Sequence, residues 1–132
     1  MSKSFLSSLT SFVTGGGAAS KVVKITPVAL NDMLRNKSVF LVDVREDAEF
    51  KAERIAGAHF FPKSSFDPDV VLKAAGKDTP ICVQCLAGGR SAQMASVLDK
   101  TLSETDAYGD VKLYDLAGGI NAWKQAGLPT IH

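Results

Sequence analysis

Between Ile81 and Ser91 the chain runs Ile81-Cys82-Val83-Gln84-Cys85-Leu86-Ala87-Gly88-Gly89-Arg90-Ser91, an apolar stretch that gives way to a cysteine, two glycines, an arginine and a helix start. A strand ending at Cys85 and a helix beginning near Ser91 leave a tight turn in which the unpaired N–H groups of a helix start converge on the sulfur. Gly88 and Gly89 permit the dihedrals that such a curl of amides needs, and Arg90 adds a positive charge at its rim. In surroundings of this kind a cysteine pKa falls from about 8.5 toward roughly 3.5 to 7.5. Cys85 is therefore expected to be a nucleophile at neutral pH, with Leu86, Ala87, Gly88, Gly89, Arg90 and Ser91 as the loop that holds its anion.

Around this segment apolar runs alternate with helical patterns. Val22 to Ile25 reads as a strand. A helix opens at Thr26-Pro27, where Thr26 suits an N-cap and Pro27 the first helical position. Phe40 to Val44 is a second strand, Glu46 to Arg54 a charged helix, Pro80 to Gln84 the strand before the cysteine loop, and Ser91 to about Leu98 the helix after it. Val111 to Tyr114 and a helix from Gly119 to Gln125 complete the pattern, with Thr101 to Asp110 as a surface loop. Such alternation predicts an α/β fold, a parallel sheet with helices on both faces.

The first 20 residues stand apart: they are rich in Ser and Gly and end in Gly15-Gly16-Gly17-Ala18-Ala19-Ser20, a flexible linker. The domain is expected over residues 21–132. Phe5, Leu9, Phe12 and Val13 have the spacing of a short amphipathic helix able to dock on the domain, a partner or a lipid surface. A cleaved export signal is the alternative, weakened by the four Ser and Thr residues between Phe5 and Val13. With 15 basic and 14 acidic residues and a net charge of +1, no field favours nucleic acid or an anionic membrane as partner. No apolar run approaches the ~18 residues that span a bilayer.

Three stretches together resemble a known family. Cys85-x-x-x-x-Arg90-Ser91 is similar to the active loop of rhodanese-like sulfurtransferases. Leu41-Val42-Asp43-Val44-Arg45-Glu46, with Glu49-Phe50 and Ile55-Ala56-Gly57-Ala58, looks like the family's first signature. Leu116-Ala117-Gly118-Gly119-Ile120-Asn121-Ala122-Trp123, with Gly127-Leu128-Pro129, looks like its last. The resemblance implies a rhodanese-like fold, a five-stranded, mostly parallel sheet with the cysteine loop at the carboxyl ends of the strands. It implies a single-domain enzyme that takes sulfane sulfur from thiosulfate, a polysulfide or a glutathione or protein persulfide. Cys85 would carry it as a persulfide to a thiol, cyanide or protein acceptor, with no metal or organic cofactor. Asp43 and Arg45 are then supporting residues that brace the loop or form a buried pair, and a cytoplasmic monomer is expected.

Two other functions remain open. A persulfide carrier would hand sulfur between proteins without small-molecule turnover. A phosphatase or arsenate reductase of this fold is disfavoured, because those relatives use a loop one residue longer, and the four residues between Cys85 and Arg90 suit a single sulfur atom. Leu86 and Ala87 at the pocket mouth are apolar where users of thiosulfate carry charge, which predicts preference for a polysulfide or persulfide donor. Arg54 and His59 also depart from the family pattern.

Other conspicuous residues have structural readings. Cys82 would point to the opposite sheet face from Cys85, about 10 Å along the strand, as a small buried hydrophobe rather than a disulfide partner or zinc ligand. His59 is expected to be a partly buried strand residue, and Trp123 to pack the last helix on the sheet. Glu46, Asp47, Glu49 and Glu53, interleaved with Lys51 and Arg54, read as a solvated helix face with i to i+4 pairs.

Overall fold

The computed structural model describes residues 20–132. The expectations for residues 1–19 lie outside that range. The strands are β1 (Val23–Ile25), β2 (Phe40–Asp43), β3 (His59–Phe60), β4 (Ile81–Gln84) and β5 (Leu113–Leu116). They form one sheet in the order β1-β5-β4-β2-β3, and every pairing is parallel. The helices are α1 (Pro27–Arg35), α2 (Asp47–Ala52), α3 (Pro68–Ala75), α4 (Gly89–Ser103) and α5 (Gly119–Gln125), with one 3-10 turn at Lys63–Ser65. Among the described residues no helix is long and apolar enough to cross a membrane.

Local chemistry sets the boundaries. The Thr26 hydroxyl accepts the Ala29 N–H at 3.1 Å and Pro27 occupies the first turn of α1. The same pairing of a capping oxygen and a proline opens α3, where the Asp67 carboxylate accepts the Asp69 N–H ahead of Pro68. Glu46 and Glu49 form a reciprocal capping box at the start of α2.

Alternation along the buried strands divides the core in two. Val42, Val44, Ile81, Val83, Cys85 and Leu113 face α3 and α4, where Val71, Leu72, Met94, Ala95 and Leu98 meet them. Leu41, Cys82 and Leu116 face the other way and pack with Leu30 of α1 and Ile120 and Trp123 of α5. A period of two thus puts the two cysteines on opposite faces, and both thiols are free. Trp123 lies in that second core and donates through Nε1 to Pro129 O at 2.8 Å.

Several boundaries differ from expectation. The helix after the cysteine loop starts at Gly89 and runs to Ser103, because Leu102 prolongs its apolar face and the Thr101 hydroxyl bonds back to Val97 O at 3.0 Å. The surface loop expected from Thr101 consequently begins only after that helix. The last strand is Leu113–Leu116, two residues later than Val111–Tyr114, in the register that sets Ile25 against Leu116 and Val83 against Asp115. His59 is exposed, since β3 is a two-residue edge strand, and its ring stacks on Phe40 with centroids 4.0 Å apart.

Candidate active site

Cys85 follows β4, the central strand of the sheet, at its carboxyl end, and only 1% of it is exposed. Gly88, at φ 116°, turns the chain into α4, a left-handed conformation that a side chain resists. This turn brings the Gly88 N–H to 3.1 Å from Cys85 Sγ, at the positive end of the helix. Leu86, Ala87 and Gly89 lie exposed around the loop, with Leu86 41% accessible, while Ser91 is fully buried beneath it.

The Ser91 hydroxyl stands 3.4 Å from Sγ, 3.2 Å from Gly88 O and 2.6 Å from Asp115 Oδ1. Burial pushes the Cys85 thiol up. The Ser91 hydroxyl and the amides of Ser91, Gly88 and Ala87 outweigh that and hold it below the ordinary cysteine value. Cys82 lacks such donors: burial, with the charge of Asp115, pushes its thiol strongly up. Hydrogen bonds thus favour the thiolate at Cys85, whereas burial disfavours it at Cys82.

Arg90, in the first turn of α4, places Nη1 and Nη2 at 2.8 and 2.9 Å from the two carboxylate oxygens of Glu49. This fork-to-fork pair ties α2 to the loop and holds the Glu49 carboxyl down to about 2. The Arg90 guanidinium is thus engaged by a carboxylate and closes the loop onto α2. The acidic residues read as a solvated face are therefore mostly committed. Glu46 accepts from Ser64 Oγ at 2.6 Å and Glu53 from Lys124 Nζ at 2.9 Å. Only Asp47 and Lys51 form the expected i to i+4 pair. Asp43 and Arg45 form the buried pair, with Nη2 to Oδ2 at 2.7 Å and a further donation from Arg45 to Glu53 O, and no bond to the cysteine loop.

The floor of the loop is held by a residue outside the candidate set. Gly119, at φ 62°, leaves its Cα against the loop backbone, and a Cβ there would strike the carbonyl oxygens of Cys85 and Leu86. The close approach lets Ile120 N–H donate to Cys85 O at 2.8 Å and Asn121 N–H to Leu86 O at 3.1 Å. Gln84, buried in β4, donates from Nε2 to the same Cys85 carbonyl at 2.9 Å. Lys24 and Asp115 were equally unmarked: β1 and β5 pair them in register, and Lys24 Nζ lies 2.9 Å from Asp115 Oδ2.

A buried cysteine at the carboxyl end of a central parallel strand, cradled by the start of the next helix, defines an α/β domain with a single hydrogen-bonded thiol at the strand ends. The model of the rhodanese-like domain matches residues 26–126, and the chain belongs to that family. It is 30% identical over 106 residues to a thiosulfate sulfurtransferase GlpE of Actinobacillus succinogenes, covering 80% of this chain and 87% of that protein. It is 31% identical over 115 residues to arsenate reductase 2.2 of Oryza sativa subsp. japonica, covering 84% and 88%. A 37% match over 109 residues to an uncharacterized Synechocystis protein covers 83% of this chain but only 56% of that one. Among solved structures, a rhodanese-related protein from Thermoplasma volcanium superposes with a TM-score of 0.66 at 27% identity, covering 83% of this chain and 97% of the other.

Proposed function

We propose that this chain is a sulfurtransferase that carries sulfane sulfur on Cys85. The observation that supports this best is the environment of Sγ, where the Gly88 amide and the Ser91 hydroxyl face one buried sulfur at the start of α4. The Cys85 thiolate attacks the outer sulfur of the donor, the S–S bond of the donor breaks, and its remainder leaves with the electron pair: sulfite from thiosulfate, a shorter chain from a polysulfide. An acceptor thiolate or cyanide then attacks the terminal sulfur and returns the thiolate. Loop amides stabilise the charge as it moves. Arg90 closes the loop with Glu49, and Asp43 and Arg45 brace the end of β2.

The exposed Leu86 and Ala87 favour a polysulfide or a glutathione or protein persulfide over the divalent thiosulfate anion. We also infer a monomer acting in a reducing cytoplasm, where a lone reactive thiol survives. The similarity to arsenate reductase 2.2 supports a second reading, an oxyanion reductase. The engagement of both Arg90 Nη groups by Glu49 and the four-residue spacing weigh against it.

Intact mass under non-reducing conditions, after incubation with thiosulfate and separately with polysulfide, tests the proposal. A gain of one sulfur atom, removed by cyanide and missing in Cys85→Ser, is expected. No gain from either donor, with arsenate reduced in the presence of thiol, would transfer the assignment to the second reading.

A further inference from the structure

Ser91 has one hydroxyl proton and two anionic claimants. Asp115 Oδ1 lies at 2.6 Å, the length of a charge-assisted O–H···O⁻ bond, whereas Cys85 Sγ lies at 3.4 Å. The proton therefore goes to Asp115 in the arrangement observed, and Ser91 Oγ turns its lone pairs toward the sulfur. That suits a protonated sulfur, whose S–H donates to Oγ. It does not suit an anionic one, which needs the hydroxyl proton itself. Ser91 is 0% exposed, and Asp115 and Cys85 are 1% exposed each, so water is a poor substitute for either bond.

Asp115 has one further partner that can change its pull. Lys24 Nζ bonds Oδ2 at 2.9 Å from a side chain that is 65% exposed, beside a recess of about 200 Å³ bordered by Val22, Ala92 and Ser96. The other charged or titratable groups nearby are accounted for. Arg90 is held by Glu49 of α2, and Cys82, on the opposite face of β4, feels the Asp115 charge but shares no hydrogen bond with it.

We propose that Asp115 is a positioning residue that competes with the Cys85 sulfur for the single proton of Ser91. Ser91 donates to Asp115 while the sulfur is a thiol, and rotates to donate to the sulfur once it is a thiolate or a persulfide anion. On ionisation the thiol proton leaves to a solvent base, and Asp115 stays a carboxylate held by Lys24. Lys24 thus sets how strongly Asp115 competes. This deepens the sulfurtransferase reading and rests on it for the persulfide state alone.

The test is the pH dependence of Cys85 alkylation by iodoacetamide, followed peptide by peptide so that Cys82 is read separately, and independent of any sulfur donor. Asp115→Asn, a weaker acceptor of similar shape, is expected to lower the midpoint by about one pH unit. Ser91→Ala and Lys24→Met are expected to raise it. In the Ser91→Ala background Asp115→Asn should shift nothing, because the contested proton is gone. A midpoint that rises or stays put in Asp115→Asn would mean that Asp115 only holds Ser91 in place. A shift that persists undiminished without the Ser91 hydroxyl would mean that bare charge acts on the sulfur. Either result overturns the proposal. If Asp115→Asn fails to fold, Lys24→Met takes its place, alone and in the Ser91→Ala background: a midpoint that is unmoved, or a shift that persists undiminished without the Ser91 hydroxyl, rejects the competition. Cys85 titrating as expected in all variants yet accepting no sulfur would sink the sulfurtransferase reading and leave the competition standing.

Discussion

Arg90 and Glu49 meet through two parallel hydrogen bonds of 2.8 and 2.9 Å across 41 residues of sequence, joining the first turn of α4 to the short helix α2. The pair is the main polar link between the cysteine loop and the segment that follows β2. α2 buries no side chain in either core, so this ion pair acts beside the packing of its half-buried Phe50 on Phe60 in fixing its position.

Glu49→Gln should therefore loosen the loop and lower kcat/KM for sulfur transfer by about tenfold, a loss of roughly 1.4 kcal/mol. The effect on stability should depend on pH. The folded carboxyl sits at about 2 against an ordinary 4.5, so its contribution is complete above about 4.5 and disappears as the pH falls toward 2. Both partners are about 30% exposed, which moderates the size of the effect. Urea unfolding of the wild type and Glu49→Gln should show a gap at neutral pH that narrows by about pH 3. A gap independent of pH would dissociate the ion pair from the loss.

The two cysteines should be chemically distinct despite a separation of three residues. Iodoacetamide at neutral pH is expected to modify Cys85 in the native protein and to reach Cys82 only after denaturation. Cys82→Ala should keep sulfur transfer within about twofold while costing roughly 1 kcal/mol of stability, the order for removing a small buried group. Equal native labelling of both thiols would contradict the difference in hydrogen bonding described above.

Gly119→Ala should damage the site from below. The residue sits at φ 62°, and the added methyl would meet the carbonyl oxygens of Cys85 and Leu86, which are backbone and cannot rotate away. A cost of about 1–3 kcal/mol is expected, with a matching loss of Cys85 reactivity as the loop floor shifts. Gly127→Ala, at a comparable φ of 79° but with open space around it, is the control: it should lower Tm less and leave alkylation of Cys85 unchanged.

Features that act over a few residues were legible in the sequence. Thr26-Pro27 fixes the start of α1 because a capping oxygen and a constrained ring work within one turn, and the cysteine loop is visible because Gly88 must adopt a left-handed turn there. Asp67-Pro68 carries the same signal as Thr26-Pro27, yet α3 was not among the expected elements, because the apolar pattern around it is short. The network that surrounds the sulfur is a product of topology. Lys24, Ser91 and Asp115 belong to β1, α4 and β5, and only the parallel register of β1 on β5 brings the lysine to the carboxylate. Glu49 looked like one charge among many on a polar helix until the loop placed Arg90 opposite it. β3 is two residues long and offers no periodicity to read.

The loop mouth is where this chain should differ from relatives that use thiosulfate. Leu86 follows the buried Cys85 directly with 41% of its surface accessible, and Ala87 next to it is exposed as well. Neither supplies charge to a divalent anion approaching Sγ, and the loop's own guanidinium, that of Arg90, is already paired with Glu49. A cation at residue 86 would stand at the rim, where partial solvent screening still leaves an attraction of one or two kcal/mol at close range. Leu86→Arg is therefore expected to raise kcat/KM for thiosulfate by about 3- to 10-fold at low salt, and to leave the value for an uncharged organic persulfide or trisulfide level or reduced. The gain should shrink as ionic strength rises, because it originates in an exposed charge. Steady-state assays with both donors at two salt concentrations measure all three effects. An equal rise for charged and uncharged donors would show that Leu86 limits access by its bulk and plays no part in the choice of donor.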